Sequence, residues 1–152
     1  MKLSTRSRYG ARLMIELAMN YGKGPLSIAE ISRKQRIPVK YLEQIIIPLK
    51  KAKLVTSVRG PRGGHMLSAP PSRISLWDIL ILLESKSSLV DCVANKNACI
   101  HASNCPVRPV WYQALNAMKK VLKKTSLQTC MDAQRQTRQD FPAVQKHGGS
   151  IR

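Results

Sequence analysis

The sequence predicts a mainly α fold with a small β-wing: a winged helix-turn-helix followed by a long C-terminal dimerisation helix. Three observations carry this reading. A short capped helix is followed within a few residues by a second helix with one apolar face. A β-prone run broken by a glycine-rich turn comes directly after that pair. A later stretch spaces its apolar residues in alternating steps of four and three. At 152 residues the chain suits one domain, or one small domain with an appended helical piece. The expected division is a winged unit over residues 1–71, then a linker helix, a Cys-rich loop and dimerisation helices over 72–140, then a mobile tail over 141–152.

Residues 5–21 open the fold. Tyr9, Leu13, Leu17 and Tyr21 recur at steps of four with Met14 and Ala18 beside them, the stripe of an amphipathic helix whose other face is basic. Gly22, Gly24 and Pro25 stop it. Ser27 with Glu30 three residues on is a capping box, which starts a second helix running to about Lys34. After a link at residues 35–37, Pro38 takes a first helical position, where a missing N–H is tolerated, and Leu42, Ile45, Ile46 and Leu49 repeat at i, i+3, i+4, i+7. Pro48 lies inside that pattern and is expected to kink or end the regular helix near Ile47. The opposite face carries Lys40, Glu43, Gln44 and Ile47, flanked by Tyr41. In a helix-turn-helix the second member lies in the DNA major groove, so these side chains are placed to meet bases.

Residues 54–58 (LVTSV) are β-prone, residues 59–64 (RGPRGG) form turns, and His65 to Ser68 return the chain as the second strand of a hairpin. This is the wing. Its tip presents Arg59 and Arg62 among glycines that let the backbone approach a partner closely, which suits the narrow, electronegative minor groove. A solvated basic turn or a phosphate-binding loop is the alternative reading. Pro70 and Pro71 close the unit, and Ser75 with Asp78 caps a helix striped by Leu76, Ile79, Leu80 and Leu83.

From Glu84 to Cys105 periodicity is lost, and the stretch reads as a loop rich in Ser, Asn and Cys. Helix resumes near Pro106 with Val107, Trp111, Ala114, Met118 and Val121 as a seam. Such a seam either packs on its own winged unit or meets a second copy, and a twofold dimer would match a palindromic DNA site. Ser126 caps a last helix through about Asp140.

Lys and Arg total 26 against 8 Asp and Glu, a formal charge of +18, so a polyanion is the first partner to consider and a basic protein the last. The hydrophobic share of 43% is too high for a disordered basic tail. The longest apolar runs, Ile45–Ile47 and Ile79–Leu83, are too short to cross a bilayer, and Arg8, Arg12 and Glu16 interrupt any secretory h-region. A soluble cytoplasmic protein with no membrane partner is expected.

In a reducing compartment, Cys92, Cys99 and Cys105 in the pattern C-x6-C-x5-C point to metal binding or redox chemistry rather than disulfides. Three thiolates can hold an iron–sulfur cluster with one iron position left to a weaker ligand. Three Cys with His101 would give a zinc site, although the C-x2-C knuckles of structural zinc are missing. A bare thiol switch is the third reading, with Lys96 and Arg108 favouring thiolate. Cys130, in the last helix, reads as a small buried residue.

On these residues the chain resembles the IscR/NsrR family of dimeric bacterial winged-helix transcription regulators. The likeness rests on the opening MKLSTRSRYG, the run YLEQIIIPLKKAKLV (Tyr41–Val55), the wing SVRGPRGGHMLS (Ser57–Ser68) and the three Cys between two helices, and it covers about residues 1–125. The resemblance implies a sequence-specific regulator whose DNA binding is modulated by an iron–sulfur cluster, 2Fe-2S or 4Fe-4S, held by Cys92, Cys99 and Cys105. It further implies a homodimer on a palindromic operator in double-stranded DNA. On the matching positions Glu43 and Gln44 would read bases in the major groove and Ser57 and Arg59 would enter the minor groove. Lys40, Tyr41 and Arg62 complete the expected DNA-binding set.

The chain also departs from that pattern. Arg108 stands where members with a 2Fe-2S cluster carry a His three residues after the third Cys, and the first Cys pair is one residue wider than is commonest. Other relatives borrow a carboxylate from the partner's first helix, where this chain has Arg6 and Arg8 and no acid before Glu16. His101 and Asp91 are the remaining local candidates for a fourth ligand. A different class of function, a metal-binding or thiol module acting on protein or RNA, would make Lys40, Glu43 and Gln44 a plain solvated face. An enzyme is not expected, because no carboxylate pair, nucleophile–base pair or complete P-loop occurs.

Overall fold

Helix α1 (Thr5–Met19) begins where the sequence supplies a cap: the Ser4 hydroxyl accepts from the Ser7 amide at 3.0 Å. Its inner face buries Leu13, Met14, Leu17 and Ala18. The helix ends at Met19, so Tyr21 lies in the following turn and is exposed rather than continuing the stripe. The structure is a computed structural model that describes residues 3–84 and 91–140; the expected tail over 141–152 lies outside the described residues.

Helix α2 (Ile28–Gln35) opens with the expected capping box, the Ser27 hydroxyl accepting from the Glu30 amide while the Glu30 carboxylate accepts from the Ser27 amide. It stops at Arg36, which adopts a left-handed conformation at φ 54°, and buried Ile37 then anchors the turn. Pro38 is the N-cap of α3 (Val39–Lys51), one position earlier than expected; its carbonyl accepts from the Tyr41 and Leu42 amides. Helix α3 also runs through Pro48 to Lys51 instead of ending near Ile47. Pro48 removes one N–H, and the carbonyl four residues back belongs to exposed Gln44, while buried Ile45, Ile46 and Leu49 hold both sides of the interruption.

Strands β1 (Val55–Val58) and β2 (Gly64–Leu67) form an antiparallel pair with Val55 opposite Leu67 and Ser57 opposite His65. A bridge between Leu26 and His65 roots the hairpin in the helical body, with both amide–carbonyl bonds made, at 3.0 and 2.9 Å. The approach is close: a Cβ at Gly64 would sit 2.6 Å from the Leu26 carbonyl. A single 3-10 turn at Pro71–Arg73 leads to α4 (Leu76–Leu83), whose Ser75/Asp78 capping box forms as expected.

The stretch expected to be loop contains α5 (Asp91–Ala94) and one 3-10 turn at Lys96–Ala98 among its described residues. Helix α6 (Arg108–Lys124) and helix α7 (Leu127–Asp140) follow. Helix α7 returns to α1 and buries Leu127 and Met131 in the common core. Two backbone bonds of 2.9 Å, Leu76 amide to Thr125 carbonyl and Leu127 amide to Ile74 carbonyl, staple the start of α4 to the start of α7.

The observed fold is therefore mainly helical with one two-stranded sheet. Its core draws on α1, α2 and α3 together with α4 and α7: Leu13, Ile31, Leu42, Leu49, Ile79 and Leu127 are essentially inaccessible. Helices α1 and α4 come nearest at Gly10, where an added Cβ would lie 2.0 Å from Leu83 Cδ1. At the other end of the same contact, the Ser4 amide donates to Glu84 Oε1 at 2.9 Å. Burial alone would raise the Glu84 carboxyl, but donors at Ser7 and Ser4 outweigh it and hold the group below its ordinary range. Gly10→Ala is expected to lower stability by about 1–3 kcal/mol through overpacking, despite the better helix propensity of Ala, as read from the urea midpoint.

Candidate nucleic-acid interface and cysteine segment

Helix α3 is held from behind by aromatic and polar contacts. Tyr41 of α3 is half buried, its ring edge-on to Tyr9 of α1 at 5.6 Å between centroids, and the Arg12 guanidinium lies 5.6 Å from the centre of the Tyr9 ring. Arg12 also donates to the Gln35 side-chain oxygen at 2.7 Å and to the Gln35 carbonyl at 2.6 Å, pinning the end of α2. The Gln35 amide in turn donates to Glu16, which is buried and has the Lys34 ammonium 3.7 Å away. Sequence reasoning missed this cluster. The available signal was Glu16 itself, an acid near the apolar stripe of an otherwise basic helix.

With α3 fixed, Lys40, Glu43, Gln44 and Ile47 all face outward and are exposed, as the spacing predicts. The wing stands beside them. Arg59 and Arg62 are exposed at its tip, which turns through Gly60 at φ 116° and closes with a bond from the Gly63 amide to the Gly60 carbonyl of 2.9 Å. Gly63 is equally constrained, since a Cβ there would lie 2.4 Å from the Val58 carbonyl. Ser57 is exposed on β1 and its hydroxyl meets Nδ1 of His65 at 3.1 Å across the ladder. Burial pushes the His65 imidazole below its ordinary value of 6.5, and the nearby Lys50 ammonium adds to the effect.

Cys92 lies in α5, Cys99 just after the 3-10 turn and Cys105 just before α6; all three are free and half buried. Among the described residues no three His, Cys, Asp or Glu side chains are gathered as a metal ligand set. His101 is exposed. Arg108, at the position where a His was the comparison, donates from Nε to the Cys92 carbonyl at 3.0 Å and so ties the first turn of α6 to the start of the cysteine segment. Cys130 is half buried on α7, and burial raises its thiol.

Helix α6 turns two apolar faces in different directions. Met118 and Leu122 line a crevice with Trp77, Leu80 and Ile81 of α4. Val107, Trp111, Ala114 and Val121 of the expected seam are exposed, together with Val110. Met118 thus belongs to the intramolecular face rather than to the outward one, and Leu122, absent from the expected seam, packs beside it.

A helix-turn-helix whose second helix turns a polar face outward beside a cationic hairpin defines a winged-helix DNA-binding protein. Residues 3–133 match the family model described as Rrf2, iron-dependent transcriptional regulator, and the chain belongs to this family. It is a DNA-binding transcriptional regulator. It is 38% identical over 128 residues to the HTH-type transcriptional regulator CymR of Bacillus subtilis, covering 84% of this chain and 88% of that one. A solved structure of CymR, described as the global cysteine regulator of B. subtilis, has a TM-score of 0.73 at 36% identity, covering 88% and 98% of the two chains. Protein rrf2 of Nitratidesulfovibrio vulgaris is 37% identical over 131 residues, 86% of this chain and 87% of its own length. The T. potens IscR structure has a TM-score of 0.74 at 31% identity, covering 98% and 94%. Relatives named CymR and IscR are described as HTH-type transcriptional regulators rather than as enzymes. Among the described residues no helix is long and apolar enough to cross a membrane.

The wing carries a pH dependence. Folded His65 binds its proton more weakly than the unfolded side chain, so the unfolded state takes up more protons as pH falls below 6.5 and stability drops there. Urea midpoints measured at pH 7.5 and 5.5 are expected to show this loss in the wild type and a smaller loss in His65→Gln.

Proposed function

We propose that the protein is a cytoplasmic homodimer that binds a palindromic operator and reports the state of its cysteine segment through DNA affinity. The observation that carries this reading is the outward presentation of Lys40, Glu43 and Gln44 on α3 beside the cationic wing. In this reading Glu43 and Gln44 accept from and donate to base edges in the major groove, and Lys40 and Tyr41 contact the backbone beside them. Ser57, Arg59 and Arg62 serve the minor groove, where narrow A·T-rich segments concentrate negative potential. The formal charge of +18 supplies the salt-dependent part of the affinity. The exposed apolar residues Val107, Val110, Trp111, Ala114 and Val121 support a twofold contact through α6, which sets two α3 helices about 34 Å apart.

Cys92, Cys99 and Cys105 would hold an iron–sulfur cluster once drawn together: three thiols within one short segment are the donor type it requires, they are not gathered into a ligand set in this structure, and Arg108 is engaged with a backbone carbonyl and supplies no ligand. When bound, such a cluster supplies oxygen- and redox-sensitive chemistry. The chain's own residues would pass the outcome on, because Arg108 ties Cys92 to the first turn of α6, and α6 bears the face offered to the second copy. A second reading, a thiol switch without a cluster, is favoured by the likeness to CymR, whose structure is described as that of a cysteine regulator.

Iron, acid-labile sulfide and zinc per monomer after anaerobic purification separate the two. Near-equal iron and sulfide that vanish when Cys92, Cys99 and Cys105 are replaced by Ala are expected; zinc alone, or no metal, removes the cluster reading. Independently, Glu43→Ala and Gln44→Ala should each relax base preference in a selection from random duplexes by about 1–3 kcal/mol per contacted base, with little loss of non-specific binding.

A further inference from the structure

The outward face of α3 contains one residue that hydrogen bonding does not use. Lys40, Glu43, Gln44, Ile47 and Lys51 follow one another at helical spacing along that face, and all are exposed. Ile47 lies in the third turn of α3 and leaves 51% of its surface open. It also borders a cleft of about 350 Å³ between the start of α1 and α3, lined by Arg6, Tyr41, Gln44, Ile45, Ile47 and Pro48. The apolar wall has Lys40, Arg6 and Lys51 around it and one acid, Glu43, a turn before Ile47, so the cations outnumber the acid and the surroundings favour an anionic partner that offers an apolar group.

In the major groove one base feature is apolar, the C5 methyl group of thymine. Ile47 is β-branched and therefore stiff at χ1, so its methyl groups meet that target without much loss of side-chain freedom. Pro48 fixes the next backbone turn and adds its ring to the same wall. We infer that Ile47 is a specificity-determining residue that reads a thymine methyl group in each half-site, beside the base contacted by Gln44. Arg6, at the rim of the cleft, would meet the phosphate backbone alongside. The inference rests on the reading that α3 lies in the major groove, and its test separates the two.

An operator is first obtained by selection from random duplexes with the full-length protein. Each thymine in it is then replaced by deoxyuridine, which removes the methyl group and keeps every hydrogen bond. One position per half-site is expected to lose affinity by about fourfold, the ratio one buried methyl group supports. Ile47→Ala is expected to bind the thymine and uracil operators equally, and Ile47→Val to keep most of the discrimination. Wild-type protein indifferent to every replacement, or Ile47→Ala retaining the wild-type ratio, overturns the inference while a shift in preference for Glu43→Ala and Gln44→Ala leaves α3 in the groove. Base preference unchanged in all of these variants overturns the placement of α3 and the inference with it.

Discussion

The close passage of α1 over α4 at Gly10 is the constraint on which the remaining geometry depends. With no side chain at residue 10, Leu83 fills the space a Cβ would need, and α1 lies low enough for its other faces to reach α2, α3, β2 and α7. Raising α1 by the thickness of a methyl group would disturb each of those contacts together, because packed interiors redistribute volume poorly. The Ser4–Glu84 bond sits at one end of this contact and the Tyr9–Tyr41 pair on the side that meets the reading helix. A helix whose outer surface is basic is thus fixed by an apolar inner face, by the missing side chain at Gly10 and by polar contacts at its ends.

What local chemistry determines was legible in the sequence. Both capping boxes, Ser27/Glu30 and Ser75/Asp78, form, because each is closed within four residues and needs no tertiary partner. The wing turn was equally readable, since Gly60 takes a positive φ and Gly63 has no room for a side chain. The exposed face of α3 followed from periodicity alone, as its buried members Leu42, Ile45, Ile46 and Leu49 fix which side must point out.

Features that depend on distant pairs were not legible. The Arg12–Gln35–Glu16 cluster joins residues 19 to 23 positions apart, and nothing in their spacing announces it. Helix α6 has an apolar surface wider than one seam, so spacing could not say that Met118 would turn to α4 while Val121 stayed outside. Pro48 was read as a break by a rule that weighs the lost bond and not the burial of Ile45, Ile46 and Leu49 around it. The three cysteines were recognisable as a group, whereas their mutual placement rests on a segment with only single turns of regular structure among its described residues. Spacing gave no hint that Arg108 would bond the Cys92 backbone.

The backbone staple between residues 74–76 and 125–127 makes the route of the chain unusual in one respect. The polypeptide leaves the core after α4, passes through the cysteine segment and α6, and re-enters beside the point where α4 began. Topologically the cysteine segment and α6 are an excursion from a body that the staple closes behind them. Insertions, deletions and substitutions within that excursion can therefore be absorbed while α1, α2, α3 and the wing keep their register. The staple is the fixed boundary of the part that can change length at small cost to the body.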